Sequence, residues 1–211
     1  MEIPTAEAAD ALGVSQQRVR ALISAGRVRA RRVAGRWLVD AASLPSEPRR
    51  SRPMSPSSAW SFLSSDAPDA RPEAAYRRRQ RRDRLARDGE PERLLTSWVA
   101  SRARREVFTS RHPEHVLADS RLVRSGLSDP RAGIASGDFA EAYVLVEDLD
   151  DIVRAHLLRP GRSSPNVVLH AVPRLPPDPV PPLMVAADLA EHDQPRELSR
   201  ARELIREELC S

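Results

Sequence analysis

The chain has 211 residues, enough for one large or two small domains, but its 19 prolines and 4% aromatic content disfavour a single large core. No apolar run approaches the length of a membrane span, and the acidic Glu2 near the start does not fit a signal segment, so we expect a cytoplasmic protein outside the membrane. Its single cysteine, Cys210, cannot form an internal disulfide, which fits a reducing compartment.

All 34 lysine-plus-arginine residues are arginines, and they are unevenly distributed along the chain. Residues 1–52 contain 10 arginines against 5 acidic residues, and residues 53–112 contain 13 against 8. Residues 113–211 reverse the balance, with 11 arginines against 17 acidic residues. This pattern predicts a basic front part that meets nucleic acid and an acidic rear part that repels it.

The stretch from Thr5 to Leu12 predicts a first helix, because it is rich in alanine and Thr5 can act as its N-cap. Gly13 predicts the turn that follows, since glycine tolerates a positive φ. A second helix is expected over 15–25, where apolar residues recur at i, i+3 and i+4 and form one buried stripe. The residues of this stripe are Val19, Leu22 and Ile23.

A hairpin is expected after Gly26, which ends the second helix. The sequence alternates up to Ala34 and Gly35, which predict the turn, and Arg36 and Trp37 begin the return strand. We place Trp37 in the core beneath this hairpin.

This arrangement resembles the winged helix-turn-helix of the excisionase and mercury-resistance-regulator superfamily. The positions that match are Ala9, Gly13, Val14, Ser15, Val19, Leu22, Ile23, Gly26, Gly35, Arg36 and Trp37. The resemblance covers about 40 residues, taken as a first domain over 1–44. It implies that the second helix enters the major groove of DNA and that the hairpin, the wing, lies along the backbone or minor groove.

The resemblance also implies which side chains contact DNA. On the second helix these are Gln16, Gln17, Arg18 and Arg20. Glutamine can bond adenine with two hydrogen bonds and arginine can do the same with guanine, so this set is suited to base recognition. On the wing they are Arg31, Arg32 and Arg36, which would attract phosphates independently of sequence. A small structural domain with a solvated arginine face is the alternative interpretation.

Residues 45–90 are expected to form an arginine- and proline-rich linker with short helices. Asp40 can cap a short helix through Leu44, and Ser55 followed by Pro56 predicts the start of an apolar helix through Leu63. The densest charge run, 71–87, has two interpretations. It resembles an arginine-rich segment that binds RNA, but a solvated helix or a disordered linker is favoured because it offers few apolar anchors.

A second domain is expected over 91–211, with an α+β fold. An amphipathic helix follows Pro91 and is predicted to extend to Arg105. Two strands, 140–146 and 166–172, flank a helix with an apolar stripe, which predicts a small mixed sheet. The proline-rich segment 173–182 is expected to be extended, and two helices follow it to the C-terminus.

We find no convincing catalytic, cofactor or metal site and expect no enzyme activity. The acidic cluster before the predicted rear helix can hold Mg²⁺ or act as acid and base, but helix capping is favoured. Its members are Glu147, Asp148, Asp150 and Asp151. His112 and His115 would share a metal only on a helix, which Pro113 between them is expected to prevent. Phosphate-binding glycine loops and serine elbows are absent from the sequence.

The rear part also resembles the C-terminal region of abortive-infection antitoxins of the AbiEi type. The resemblance rests on the stretches 120–126, 141–158, 166–173 and 186–205, and mostly on their hydrophobic pattern together with Asn166 and the region from Asp188 to Arg196. It implies an antitoxin domain paired with a nucleotidyltransferase toxin, in a protein that represses its own operon. The excisionase-like front module and the long spacer depart from that family.

The predicted function is therefore a DNA-binding transcriptional repressor and antitoxin whose partners are double-stranded DNA and a nucleotidyltransferase toxin. Two alternatives remain at this point: a stand-alone transcriptional regulator and an excisionase-like recombination factor. A palindromic operator would require a homodimer, and apolar surface on the two C-terminal helices is the expected place for its seam.

Overall fold

The computed structural model describes residues 2–12, 16–24, 28–33, 35–43, 53–64, 72–134, 137–161 and 164–210. The chain forms two compact units, a front unit over Met1–Arg50 and a rear unit over Ser51–Ser211. Helices and strands are mixed, and the α+β prediction is confirmed. In the part of the chain that the structure describes, no helix is both long and apolar enough to cross a membrane.

The front unit combines two helices with an antiparallel three-stranded sheet of order β1-β3-β2. A single 3₁₀ turn, Ala41–Ser43, follows the last strand. The predicted helix through Leu44 is this shorter turn, and Leu44 lies outside the described residues. The elements are β1 (Glu2–Pro4), α1 (Thr5–Leu12), α2 (Gln16–Ser24), β2 (Ala30–Val33) and β3 (Arg36–Asp40).

The core of the front unit is small and built largely from alanine and valine. Ala8 and Ala9 are buried on α1 and allow α2 to approach closely, while Val19 of α2 is fully buried. Val39 of β3 and Ile3 of β1 complete the buried set from the sheet. The prediction of a buried stripe on the second helix is confirmed at Val19 and at the partly buried Ile23. The predicted turns at Gly13 and Gly26 lie outside the described residues.

The rear unit is built around a five-stranded sheet of order β5-β6-β8-β4-β7. Its two central strands, β6 and β8, are parallel and are joined through α7, whereas the other pairs are antiparallel. The predicted strand-helix-strand unit and mixed sheet are confirmed. The strands are β4 (Arg104–Thr109), β5 (Val123–Arg124), β6 (Ala140–Leu145), β7 (Arg159–Pro160) and β8 (Val167–Val172).

Helices cover both faces of this sheet. The helices of the rear unit are α3 (Pro56–Leu63), α4 (Pro72–Arg87), α5 (Pro91–Val99), α6 (Pro113–Val116), α7 (Leu149–Ala155), α8 (Pro182–Ala190) and α9 (Pro195–Cys210). One apolar cluster includes α6 and α7 and takes Ala142 and Leu169 from the central strands. The larger cluster includes α3, α5, α8 and α9 and takes Tyr143 and Val172 from the sheet. Because side chains alternate along a strand, the central strands supply both clusters.

Helices α3 and α4 belong to the rear unit, although the sequence predicts that they lie in the linker. Phe62 and Leu63 of α3 and Leu85 of α4 are buried in the larger cluster. Ser55 is the N-cap of α3 and accepts a hydrogen bond from the amide of Ser58, as the sequence predicts. The rear unit therefore starts at about residue 51, and the boundary predicted at 91 is corrected.

Other predicted elements end at different residues in the structure or were absent from the prediction. The amphipathic helix after Pro91 ends at Val99 rather than extending to Arg105, because Arg104 already belongs to β4. The segment between β8 and α8 contains no helix or strand over 173–181, as its prolines predict. Strand β1 is too short to show a periodic pattern and was not predicted.

Candidate nucleic-acid interface

Helix α2 presents exposed polar side chains beside its buried stripe. Gln16, Gln17 and Arg20 are exposed, while Val19 between them is fully buried. Gln17 and Arg20 are three residues apart and therefore lie on the same face of the helix, with Gln16 beside them. The structure thus brings three of the four predicted base-contacting residues together on one accessible surface.

The hairpin of β2 and β3 positions the wing arginines. Arg31 pairs with Leu38 and Arg32 with Trp37, and both arginines are exposed. Successive strand residues point to opposite faces, so Arg31 and Arg32 cannot grip one phosphate from the same side. Arg32 Nε donates to the carbonyl of Gly35 at 3.4 Å, which directs that side chain to the turn. Gly35 has φ +79°, a conformation that favours glycine.

Trp37 lies on the same face of the sheet as the buried Val39 and is half-buried. Its predicted place beneath the wing is consistent with this position. The remaining two predicted contacts, Arg18 and Arg36, are described only by their backbone. Arg18 is in α2 and Arg36 begins β3 opposite Val33, while their side chains lie outside what the structure describes.

A polar cluster holds the base of the wing. Arg29 forms an ion pair with Asp40 at 3.2 Å, and its amide donates to the Ser43 hydroxyl at 2.8 Å. The same hydroxyl donates to the carbonyl of Asp40 at 2.7 Å. These bonds join the start of β2 to the end of β3, so the hairpin extends from a fixed base.

Two helices that share one small core, followed by an antiparallel hairpin with exposed arginines, define a DNA-binding module of the helix-turn-helix class. The comparison with protein families agrees, because residues 5–44 match the model of the helix-turn-helix domain. The front unit is therefore a helix-turn-helix domain of the kind that serves DNA-binding regulation. No curated protein and no solved structure matches the chain significantly.

The rear unit contains a different feature, a charged centre sealed inside the larger apolar cluster. Asp188 of α8 is fully buried and accepts hydrogen bonds from Arg102 at 2.5 and 3.1 Å and from the Tyr143 hydroxyl at 2.9 Å. The Ser125 hydroxyl also donates to Asp188. Arg102 forms a second ion pair with Glu191 at 2.6 Å. Each charge in this group is satisfied by a partner of opposite charge.

Glu141 is the second buried carboxylate of this centre. It contacts His170 Nε2 and His192 Nε2 at 2.9 Å each and accepts from the amide of Leu127 at 2.8 Å. Gly126, with φ +51°, lies against it, because a Cβ atom there would be 2.0 Å from Glu141 Oε2. Glycine is therefore required at this position both by conformation and by close approach.

The buried charges shift one another's pKa values. Burial raises the pKa of Glu141, but hydrogen bonds from His170 and His192 outweigh it and lower the pKa to about 2. Burial lowers the pKa of His170, but the charge of Asp188 and the bond to Glu141 reverse this and raise it. Burial, with the charge of Asp188, raises the pKa of Tyr143 well above its usual range. The centre is therefore a network of ion pairs.

Sequence reasoning missed this centre, although a signal for it existed. Glu141 and His170 interrupt two otherwise apolar strands, AEAYVL and VVLHAV, at positions on the same face of the sheet. Asn166, which carries part of the resemblance to antitoxins, is a structural link: its amide accepts from the Ser110 amide at 2.8 Å and donates to the Ser110 carbonyl at 2.9 Å.

The acidic cluster before α7 agrees in part with the capping prediction. Asp150 and Asp151 lie in the first turn of α7, where carboxylates favour the helix dipole. Asp148 occupies the N-cap position, but its side chain makes no capping hydrogen bond. Asp151 instead pairs with Arg154.

The expectation that Pro113 would prevent a helix at the histidine pair is wrong. Pro113 is the first residue of α6, a position where its missing N–H costs nothing. His112 and His115 stack with ring centroids 5.1 Å apart, and with Glu114 they place ligand atoms within 4.8 Å of one another. All three residues are exposed, and the absence of a metal site stays a prediction.

Proposed function

We propose that the protein is a transcriptional repressor of its own operon, and that its rear unit is the antitoxin part that restrains a nucleotidyltransferase toxin. The observation that carries the DNA-binding part is the surface of α2, where Gln16, Gln17 and Arg20 are exposed while Val19 is buried. Glutamine and arginine are the side chains that read adenine and guanine in the major groove.

The surface of the rear unit supports a role in protein interaction. At the end of β6, Val146 is 51% exposed and is followed by the exposed acidic residues Glu147, Asp150 and Asp151. An apolar side chain next to carboxylates suits a partner with a basic rim around an apolar site. The resemblance to AbiEi-type antitoxins supports the identity of that partner as a nucleotidyltransferase.

A binding role is also favoured over enzyme activity. Three residues of the rear unit with shifted pKa values, Glu141, Tyr143 and His170, are at most 1% exposed. A substrate cannot reach groups that are sealed in this way, so the network is suited to holding the fold.

The DNA-binding part is tested with the promoter fragment of the protein's own operon. Arg20→Ala is expected to weaken binding to this fragment by about 5- to 150-fold, the cost of one lost base contact. Arg31→Ala should weaken binding to all duplexes alike and reduce the slope of log K against log salt by about 0.9.

Arg29→Ala is the matched control, because this exposed arginine is paired with Asp40 at the base of the wing. Equal losses for Arg20→Ala and Arg29→Ala would contradict the assignment of α2 as the reading helix. Sedimentation of the protein on the same fragment shows whether two copies bind, as a palindromic operator requires.

The antitoxin part is tested by co-expressing the full chain with the product of the adjacent gene. Asp150→Arg with Asp151→Arg should reduce co-purification and release toxicity, whereas Asp138→Arg, at another exposed position, should not. If the wild-type chain retains no partner while it still represses its promoter, the function is that of a stand-alone regulator.

A further inference from the structure

Helix α4 carries two sets of arginines with different surroundings. One set faces the rest of the rear unit: Arg78 donates to the carbonyl of Ser61 at 3.5 Å, and Arg82 pairs with Glu208 of α9 at 3.4 Å. These two arginines lie on the same side of the helix as Leu85, which is fully buried. This set holds α4 against the rest of the rear unit, so both arginines are engaged in contacts within the fold.

The second set lines an open groove. Arg77, Arg81, Arg84 and Arg87 recur at intervals of three or four residues and therefore form one stripe along α4. The groove has a volume of about 850 Å³, and Met54 before α3 and Trp98 of α5 also line it. The guanidinium of Arg84 lies over the Trp98 ring, 5.5 Å from its centroid.

The stripe keeps most of its charge uncompensated. Among the described residues, Arg81, Arg84 and Arg87 form no ion pair, and Arg77 contacts Glu73 only at 3.9 Å. The other acidic residues in the groove are Asp83 and Asp88, and Asp88 accepts a hydrogen bond from the amide of Glu90 at 3.0 Å. The lining of the groove therefore contains four arginines and two carboxylates, and Glu73 is a third carboxylate outside the lining.

We propose that this groove binds the phosphate backbone of duplex DNA. Guanidinium groups match phosphate oxygens in geometry and charge. From Arg77 to Arg87 the helix rises by about 15 Å, which corresponds to about four base-pair steps along a duplex.

The surroundings of the stripe favour a duplex over a single strand. Single-stranded nucleic acid is held largely by stacking of bases on exposed aromatic rings. Trp98 is only 4% exposed and already lies against Arg84, so it offers no free face for a base. The groove therefore suits the regular backbone of a duplex and no particular sequence.

The inference rests on the proposed DNA-binding function and adds a second, sequence-independent contact to it. The front unit would select the site, and the arginine groove would add affinity to any duplex held nearby. This assigns a role to the second set of arginines in the charge run, Arg77, Arg81, Arg84 and Arg87, which the fold of the rear unit alone does not need.

The test compares two double variants of the full chain on a duplex of random sequence, titrated over a range of salt concentrations. Arg81→Ala with Arg87→Ala should reduce the slope of log K against log salt by about 1.8, because two phosphate contacts are lost. Between about 50 and 200 mM salt, this variant should then lose about tenfold less affinity than the wild type.

Arg79→Ala with Arg206→Ala is the control with the same change in net charge. Both arginines are exposed, form no ion pair among the described residues and lie outside the groove. The control should keep the wild-type slope to within about 0.5, and equal slopes for the two double variants would overturn the proposal.

Two further measurements separate this proposal from the proposed function. If Arg20→Ala leaves promoter binding intact but the groove variant lowers the salt slope, the assignment of α2 to base recognition is wrong and the assignment of the groove to phosphate binding is supported. If duplex RNA or the adjacent gene product competes for the groove, while the groove variant binds DNA like the control, the assignment to DNA is overturned.

Discussion

The two units of this protein treat their charged side chains in opposite ways. In the front unit, Arg20, Arg31 and Arg32 are exposed, and the described core residues are all apolar. In the rear unit, Arg102 and Asp188 are sealed in the core and neutralise each other. The difference teaches that arginine content alone does not indicate a nucleic-acid surface, because arginines are exposed on the helix-turn-helix module whereas Arg102 is sealed beside a carboxylate in the rear unit.

The largest effect is expected when the buried carboxylate of Asp188 is removed, because the contrast between the two units depends on its pairing with Arg102. Asp188→Ala leaves Arg102 buried without its main partner and should lower the free energy of unfolding of the rear unit by about 3–5 kcal/mol. Urea denaturation, followed by the fluorescence of Trp60 and Trp98, measures the loss.

The matched control is Asp151→Ala, which breaks the exposed pair with Arg154 and should cost at most about 1 kcal/mol. Similar losses for both variants would mean that the buried network contributes no more than a surface ion pair. Promoter binding should persist in both, since the front unit has its own core.

The second test concerns the close approach at Gly126. Gly126→Ala places a methyl group 2.0 Å from Glu141 Oε2 and should displace this carboxylate, at a cost of about 1–3 kcal/mol beyond the cost of the positive φ. Gly133→Ala is the control, because Gly133 also has a positive φ, +61°, but has open space around its Cβ position. Thermal unfolding of both variants gives the difference, and a difference near zero would rule out the crowding at Glu141.

The third test concerns the small core of the front unit. Val39→Ala removes two methyl groups from a small core and should cost about 2 kcal/mol. Leu38→Ala, at the neighbouring half-buried position, should cost less although it removes more carbon atoms. Hydrogen exchange of residues 2–12 measures the effect, and a larger loss for Leu38→Ala would contradict the described orientation of β3.

The smallest expected effect is a dependence of stability on pH that only the rear unit shows. All 5 histidines lie beyond residue 111, so the front unit has none. The pKa of His170 is raised above its ordinary 6.5 by Asp188 and Glu141 against the opposing effects of burial and Arg102. Its contribution to stability is therefore complete below pH 6.5 and is lost as the pH rises through the raised pKa.

The free energy of unfolding of the rear unit should accordingly fall between pH 6 and pH 8, by less than about 1.4 kcal/mol per pH unit. Its melting temperature should fall over the same range. His170→Gln should flatten this dependence. A wild-type melting temperature that rises over the same range would show that His170 is neutral in the folded protein.

The sequence allowed the front unit to be predicted well, because local signals there agree with the fold. The buried Val19, the turn at Gly35 and the strand starting at Arg36 each follow from short-range patterns. For the DNA-contacting residues, the same patterns identify the exposed face of α2 but not which bases it meets.

The rear unit was harder to predict because its decisive contacts join distant positions. Arg102 and Asp188 are 86 residues apart, and each alone has the sequence signature of a solvated side chain. The same holds for α4, which has few apolar residues, and for α3, whose short apolar stretch does not by itself show that it completes a core formed by α5, α8 and α9. Pattern reasoning thus assigned both helices to a linker.

The distance between Arg102 and Asp188 also has a consequence for synthesis. The chain grows from its N-terminus, and domains generally fold as units in that order. The elements of the front unit are complete at Ser43, whereas Arg102 has no carboxylate of α8 to pair with until Asp188 has been added. An interrupted chain would therefore carry the elements of the helix-turn-helix module without a closed rear unit.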